Sequence, residues 1–427
     1  VGARCLRAKE CDAHAAPTKF QETIRPQAAG SYTGFGASVE SGGEMVQCLQ
    51  TSNIHLRFVI AMKNRALVLT MFAAMFLCSA PLYAADHAGG QVILGKGTNL
   101  AHWLSQTRRE GQERRNFITE KDIAYIAELG FDHVRMPIDE MQMWDEQGRR
   151  DKDAFETLHD AIRWSLANDL KVVVDLHILR SHHFNAEEKP LWTDPAEQER
   201  FIDLWRDLSA ALNGYPTDRV VYELMNEPVA DDPDDWNRLV AKAFAAVRAL
   251  EPERTIMIGS NRWQGAETFD ELAVPDDPHI ILIYHFYEPF MFTHYKTSWN
   301  FMKDYDGTVR YPGVVLSRKE FEQLPVSLQG ELERFVDVEF NKQVLAEMME
   351  KPLRRAKETG LPLYCGEYGV FNAAPAPDRV RWYRDMLEIF EEHGVSHANW
   401  NYKSDQFGFV GLDGEPIDAI REVMVGK

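Results

Sequence analysis

Short apolar, often β-branched runs alternate along the chain with segments whose apolar residues recur every three or four positions. Val92-Ile93-Leu94 opens the first run, which leads to Thr98-Asn99-Leu100. Thr119 with Asp122 three residues on forms a capping-box pattern, and Ile123, Ile126, Ala127 and Leu129 mark the buried face of the helix that follows, with Gly130 as its stop. Phe131–Met136 reads as a strand, Phe155 to Leu166 has helical spacing, and Lys171–Leu176 is again a strand. Trp205, Leu208 and Leu212 mark a helix before the strand Val220–Leu224, and Trp236 to Val247 marks another before Thr255–Ile258. Ile280–Tyr284 and Leu361–Cys365 are strands, with a helix around Val344, Leu345 and Met348 before the second. A helix from Val380 to Phe390 precedes the last strand, Val395–Trp400, and Ile417, Ile420 and Met424 close the pattern.

The strand runs are nearly continuous in apolar residues, which marks strands covered on both faces and hence a parallel sheet with helices outside. Eight strand–helix units in one domain predict an α/β fold, a (β/α)8 TIM barrel. An open doubly wound sheet is the alternative, but no phosphate-binding glycine turn follows the first strand, and Gly34-Phe35-Gly36 lies far upstream and lacks the later glycine. The one long connection runs from about Phe286 to Glu339. Its aromatics Phe290, Phe292, Tyr295, Trp299 and Phe301 fit a substrate-covering loop or, equally, a small satellite core.

The 427 residues, 45% hydrophobic and 26% charged, have the composition of a soluble globular protein, and a net charge of -19 disfavours nucleic acid as a partner. Met62-Lys63-Asn64-Arg65, the apolar run Ala66–Ala80 and small residues at Ala80, Ala84 and Ala85 read as a secretory signal peptide over 62–85. Residues 1–61 then read as upstream sequence that is untranslated or foreign, with Met62 as initiator and 86–427 as one domain; a genuine extension is the lesser reading. The expected destination is periplasmic or extracellular, with no membrane partner for the mature form. Cys5, Cys11, Cys48 and Cys78 precede the cleavage region, so only Cys365 remains, no internal disulfide is expected, and stability must come from a large core. Cys365, inside an apolar strand, reads as a small buried hydrophobe.

Candidate chemistry centres on Val221–Pro228, VYELMNEP, where an apolar run ends in Asn226-Glu227-Pro228, and on Leu363–Gly369, LYCGEYG, which carries Glu367. Two carboxylates at the ends of buried strands are costly without a purpose, and a proton donor plus an attacking or steering partner is what cleavage of a glycosidic bond requires. Arg135, His177, Asn226, Glu227, His285, Tyr287, Glu367 and Trp400 all fall at strand ends, which in a barrel open on one face. Singly, an arginine there is more often an ion-pair partner, a histidine a satisfied core group and a tryptophan packing; eight on one rim are less easily explained so. Asn99, His102 and Trp103 after the first strand, and Trp263 after the fifth, are weaker subsite candidates. His182 and His183, near His177 and Asp175, suggest a barrel metallohydrolase as a second reading, but no HExxH accompanies them. A non-catalytic carbohydrate-binding barrel is a third, and it predicts a missing glutamate, whereas both are present.

With Asn226-Glu227-Pro228, Glu367, Arg135, His177, His285, Tyr287 and Trp400 in place, the chain from about Gly95 to Trp400 resembles glycoside hydrolase family 5, in a clan of retaining (β/α)8 glycosidases. The resemblance implies Glu227 as general acid/base and Glu367 as nucleophile. It implies Asn226 on the sugar 2-hydroxyl, Tyr287 and Arg135 orienting Glu367, His177 and His285 binding substrate or tuning the carboxylates, and Trp400 as sugar platform. It also implies carboxyl groups about 5–5.5 Å apart and retention of configuration. The partner expected is a β-linked polysaccharide or oligosaccharide, with no cofactor and no metal. The activity expected is that of an endo-β-1,4-glucanase (cellulase), with mannan, xyloglucan, mixed-linkage glucan and β-1,3-glucan as alternative substrates.

Overall fold

The computed structural model describes residues 92–426. The upstream segment, the signal-like stretch 62–85 and the four early cysteines lie outside the described residues. Ten strands follow in chain order: β1 Lys96–Asn99, β2 His133–Asp139, β3 Lys171–Ile178, β4 Val220–Glu223, β5 Ile256–Gly259, β6 Ile280–Phe286, β7 Gly313–Val314, β8 Glu339–Phe340, β9 Leu363–Tyr368 and β10 Ser396–Asn399. Eight of them close a barrel in the order β1-β10-β9-β6-β5-β4-β3-β2, and every neighbouring pair is parallel. The short β7 and β8 form a separate antiparallel pair inside the long connection after β6. The expected (β/α)8 barrel is therefore the fold.

Helices Glu120–Glu128, Lys152–Ala167, Pro195–Leu212, Pro233–Leu250, Glu350–Thr359, Ala376–His393 and Asp418–Val425 surround it. Four of them start from an aspartate or threonine cap (Thr119, Asp151, Asp194 and Asp232), and the Asp122 carboxylate accepts from the Thr119 N–H at 2.9 Å as the capping-box spacing predicts. After β5 the helical layer shrinks to a 3-10 segment, Ala266–Glu271. Among the described residues no helix is long and apolar enough to cross a membrane.

The strand runs look continuous because both faces are buried, yet the two faces are distinct. Val173, Val221, Met257, Ile281, Ile283, Tyr364 and Ala398 fill the barrel interior. Val172, Val174, Val220, Tyr222, Ile256, Ile258, Ile280 and Leu282 belong to the layer between barrel and helices. This is the period of two expected for any strand. The first strand differs from expectation: Val92-Ile93-Leu94 is not part of β1. Val92 and Leu94 join the interior cluster while Ile93 is exposed, so this segment packs into the barrel core without pairing in the sheet.

The inward parity carries chemistry at the C-terminal ends. Two residues beyond inward Val173 lies Asp175, two beyond Val221 lies Glu223, and two beyond Ile283 lies His285. β9 needs one correction to join them. Its pairing with β6 shifts by a residue, so that His285 lies opposite Glu367 and not Gly366. With Cys365 and Tyr368 both in the outer layer, the extra residue re-aims Glu367 at the interior. Glycine leaves room at the shift: a Cβ on Gly366 would lie 2.6 Å from Ile283 Cδ1 and 3.2 Å from His285 Nε2, so both buried side chains would have to move.

Candidate active site

Arg135, near the middle of β2, is the hub of the site. Its guanidinium is fully buried and every nitrogen is used. Nε and Nη2 donate to the two oxygens of Glu223 at 2.7 and 2.8 Å. Nη1 donates to Glu367 Oε1 at 2.8 Å and Asn99 Oδ1 at 2.9 Å. Nη2 also reaches Asn226 Oδ1 at 2.9 Å and Asp175 Oδ2 at 3.0 Å. Burial opposes the positive charge, but Asp175, Glu223 and Glu367 outweigh it and hold Arg135 protonated.

Around this hub the two candidate carboxylates converge. Glu367 also accepts from the Tyr287 hydroxyl, 3.0 Å from Oε2. His285 Nδ1 lies 3.0 Å from Glu227 Oε1 and 3.7 Å from Glu367 Oε2. One polar atom from each of Glu227, His285 and Glu367 lies within 4.8 Å of the other two. The spacing alone could suit a cation, but these ligand atoms already have hydrogen-bond partners in Arg135, Tyr287 and one another. His182 and His183 do not join them: His182 Nε2 accepts from the Val229 N–H at 3.1 Å, and His183 is exposed.

Glu227 stands on the turn after β4 with φ +45°, a left-handed conformation that costs a non-glycine residue on the order of 1–2 kcal/mol. The surroundings hold it there. The Glu227 N–H donates to Gln264 Oε1 at 3.3 Å, Ala230 exchanges two bonds with the Asn261 side chain at 2.8 and 2.9 Å, and His182 holds Val229. Gln264 ends a run of three residues with positive φ, Arg262, Trp263 and Gln264, and its amide nitrogen also reaches Glu223 Oε1 at 3.3 Å.

The electrostatics separate the two carboxyl groups. Burial, then the charge of Glu367, holds Glu227 well above the usual carboxylate range. Burial raises Glu367 too, but the Arg135 guanidinium opposes that rise first, with help from the Tyr287 hydroxyl. Glu227 is thus the better proton holder and Glu367 the better anion. Burial pushes His177 down to about 4 and His285 well below its usual value, so both rings are neutral at neutral pH. Burial lifts Asp175 and Glu223 to about 7 each, against the pull of Arg135.

His177 and Trp400 form the neighbouring wall. Their rings stack at 5.6 Å between centroids and 7° between planes. Gln106 donates its amide to His177 Nε2 at 3.1 Å, leaving Nδ1–H to donate to Asp175 at 2.7 Å. His102, half-buried, meets the Trp400 ring edge-on at 6.1 Å and so reaches the same wall. Asn226 is held by the Leu176 carbonyl and by Arg135, while its Nδ2 has no hydrogen-bond partner. Trp263 is 43% exposed, and its backbone N–H donates to the Pro228 carbonyl at 3.3 Å, which places it beside the Glu227 turn.

Two weaker candidates are corrected. Trp103 is fully buried, donates its indole N–H to the Arg114 carbonyl at 2.8 Å and stacks on Trp164; it belongs to the core behind the rim. Asn99 is also fully buried, and its side chain is spent on Arg135, the Gly366 carbonyl and the Asn399 carbonyl, so it braces the hub. Sequence reading missed Glu223 and Gln264 altogether and took Asp175 only as a neighbour of His177. For Glu223 and Asp175 a signal existed, since each lies two residues beyond an inward valine. For Gln264, a glutamine in a left-handed turn, none did.

A closed parallel barrel whose C-terminal face gathers an acid, an anion and a stacked aromatic wall defines a glycoside hydrolase, and the comparisons agree. The chain matches the model of the cellulase family, glycosyl hydrolase family 5, over residues 91–406. It is 34% identical over 330 residues to Endoglucanase C of Acetivibrio thermocellus, covering 75% of this chain and 94% of that protein. It is 32% identical over 305 residues to Cellodextrinase A of Ruminococcus flavefaciens, covering 70% and 83%. Among solved structures, endoglucanase Cel5A from the hyperthermophilic Thermotoga maritima aligns with a TM-score of 0.62 at 25% identity, covering 77% of this chain and 96% of that one. The chain belongs to glycoside hydrolase family 5.

Proposed function

We propose that this enzyme is a retaining endo-β-1,4-glucanase that uses Glu367 as nucleophile and Glu227 as acid/base. The observation that carries the reading is the juxtaposition of Glu227 and Glu367 in unequal environments, one favouring the proton and the other the charge. The names of the relatives, Endoglucanase C and Cellodextrinase A, support a β-1,4-linked glucan as substrate.

In the first step Glu367 Oε attacks the anomeric carbon while Glu227 gives its proton to the departing glycosidic oxygen. The C–O bond to the leaving chain breaks and an ester to Glu367 forms. Esterification removes the Glu367 charge, so the Glu227 pKa falls and its carboxylate can take a proton from water. That water attacks the anomeric carbon, the ester breaks, and Glu367 regains its charge beside Arg135. Asn226, with its Nδ2 free, is suited to the 2-hydroxyl of the ring being cut, and His285 to hydrogen-bonding Glu227 through both steps. Trp400 offers that ring an aromatic face, and Trp263 offers one beside the acid. Export to the periplasm or outside the cell is part of the proposal and rests on the sequence of residues 62–85 alone.

The test is hydrolysis of a panel of soluble β-glucans, mannan and xyloglucan, alongside cellodextrins of graded length. Internal cleavage of β-1,4-glucan, seen as an early fall in viscosity, supports the proposal. Activity confined to cellodextrins would favour a cellodextrinase, and activity confined to mannan or xyloglucan would overturn the glucan assignment.

A further inference from the structure

We propose that Gln264, in the turn after β5, is a positioning residue for Glu227: it fixes the peptide of the acid/base, and so the line along which its carboxyl meets the glycosidic oxygen. This rests on Glu227 being the acid/base, as read above.

Gln264 is fully buried, and its amide reaches three polar groups. Oε1 accepts from the Glu227 N–H, while Nε2 donates to Glu223 Oε1 and to the Met225 carbonyl, each at 3.3 Å. The amide is not free to reverse, because a flip would set its oxygen against two acceptor oxygens and its NH2 against an N–H. None of the three bonds is short, so the hold comes from their number and from the fit. A Cβ on Gly259, the last residue of β5, would lie 2.7 Å from Gln264 Nε2 and 2.8 Å from its Cγ. The bare glycine lets the side chain lie flat against the end of the barrel strand.

The turn is itself pinned. Ser260 Oγ donates to the Gly265 carbonyl at 2.9 Å, and Thr268 Oγ1 donates to the Asn261 carbonyl at 2.7 Å. Gly265 pairs in parallel with His285 of β6, and His285 Nδ1 meets Glu227 Oε1 at 3.0 Å. One turn therefore bears on both ends of Glu227, the peptide through Gln264 and the carboxyl through His285.

A buried glutamine in a turn most often only satisfies nearby backbone. Here the far end of the amide meets Glu223, whose two oxygens are gripped by Arg135, and Arg135 also holds Glu367. Hydrogen bonds thus run unbroken from Glu367 through Arg135, Glu223 and Gln264 to the Glu227 peptide. Glu227 sits at φ +45°, where a non-glycine residue stays only while its surroundings hold it. Loss of the amide removes that partner of the Glu227 N–H, and a shift of about 1 Å at a reacting group can cost on the order of 100-fold in rate.

The test compares cellotetraose, whose leaving sugar needs a proton, with 2,4-dinitrophenyl β-cellobioside, whose phenolate departs without one. Gln264→Met keeps the length of the side chain and removes both hydrogen-bonding ends. It is expected to lower kcat/KM about 10- to 100-fold on cellotetraose and less than about 3-fold on the dinitrophenyl substrate. Both substrates read the same folded fraction, so their ratio does not depend on stability. Gln264→Glu keeps an acceptor for the Glu227 N–H. It is expected to recover most of the lost ratio at about pH 5, where the new carboxyl beside Glu223 is protonated and donates as the amide did. An unchanged ratio in Gln264→Met, or an equal fall on both substrates, would overturn the proposal. Glu227→Ala is the reference: equal falls on both substrates in that variant would remove Glu227 as proton donor. A selective fall there, with an unchanged ratio in Gln264→Met, removes the role of Gln264 alone.

Discussion

Arg135 grips Glu223 with two bonds, Nε to Oε2 at 2.7 Å and Nη2 to Oε1 at 2.8 Å, and neither side chain touches solvent. The pair sets the plane of the guanidinium, and the remaining Nη1 then points at Glu367. Glu223 also adds negative charge near Glu227. Glu223→Gln keeps the shape and removes that charge, which lowers the Glu227 pKa. If Glu227 is the proton donor, as proposed, it must be protonated to act, and the descending alkaline limb of the kcat/KM profile is expected to move to lower pH, by roughly half to one unit. Glu223→Ala removes two charge-assisted bonds from the buried Arg135 guanidinium and leaves its Nε without a partner, and is expected to cost about 3–5 kcal/mol of stability. Thermal unfolding measures the second effect and a pH–rate profile the first.

The two glutamates differ in what can replace them. Glu367→Ala is expected to lower kcat by at least about 10³-fold. Added azide should then restore turnover by attacking the anomeric carbon directly, giving an α-glycosyl azide. Glu227→Ala should keep the nucleophile, so azide attacks the ester and gives the β product. Product analysis by NMR separates the roles; an α-azide from the Glu227 variant would reverse them.

Trp103 and Trp400 were both sequence candidates for sugar contact, and the structure parts them. Trp103→Ala opens a cavity behind the rim and is expected to cost about 3–5 kcal/mol of stability with kcat/KM of the folded fraction nearly intact. Trp400→Ala removes the ring stacked on His177 and is expected to lower kcat/KM on every substrate length. Urea unfolding paired with kinetics on one short substrate checks both.

Stability should depend on pH through two opposing sets of groups. Burial pushes His182, His294 and His397 down to about 3, against about 6.5 when unfolded. The unfolded chain therefore binds more protons between those values, and this contribution, present above pH 6.5, is lost as pH falls toward 3. Asp175 and Glu223, raised by burial to about 7, act oppositely: their contribution is complete below the unfolded carboxylate range near 4 and is lost as pH rises through 7. His182→Gln keeps an acceptor for the Val229 N–H and removes one titrating ring. It is expected to reduce the slope of unfolding free energy by about 1.4 kcal/mol per pH unit between 4 and 6. Urea titrations at successive pH values read that slope, and an unchanged slope would mean that His182 takes its proton in the folded state.

The barrel was legible because its strands are apolar on both faces, and the rim because a polar residue ending such a run stands out. Glu227, Glu367, Arg135, His285 and Tyr287 emerged on that basis together with the family resemblance. Glu223 and Asp175 were passed over because a charge inside a strand run reads as part of the strand, and only the inward parity shows that they meet Arg135. Trp103 and Asn99 failed for the converse reason: position after a strand does not say which way a side chain turns. The bulge that brings Glu367 opposite His285 is a pairing property of two strands, and one strand's residues do not reveal it. The connection after β6 was split between two readings, and most of its aromatics took the packed one.

The central claim is that Glu367 attacks the anomeric carbon and Glu227 handles the proton twice. The most direct measurement is NMR of the first product released from a soluble β-1,4-glucan, recorded before the anomers equilibrate. With retention the new reducing end appears first as the β anomer; an α anomer appearing first would contradict the double displacement at Glu367.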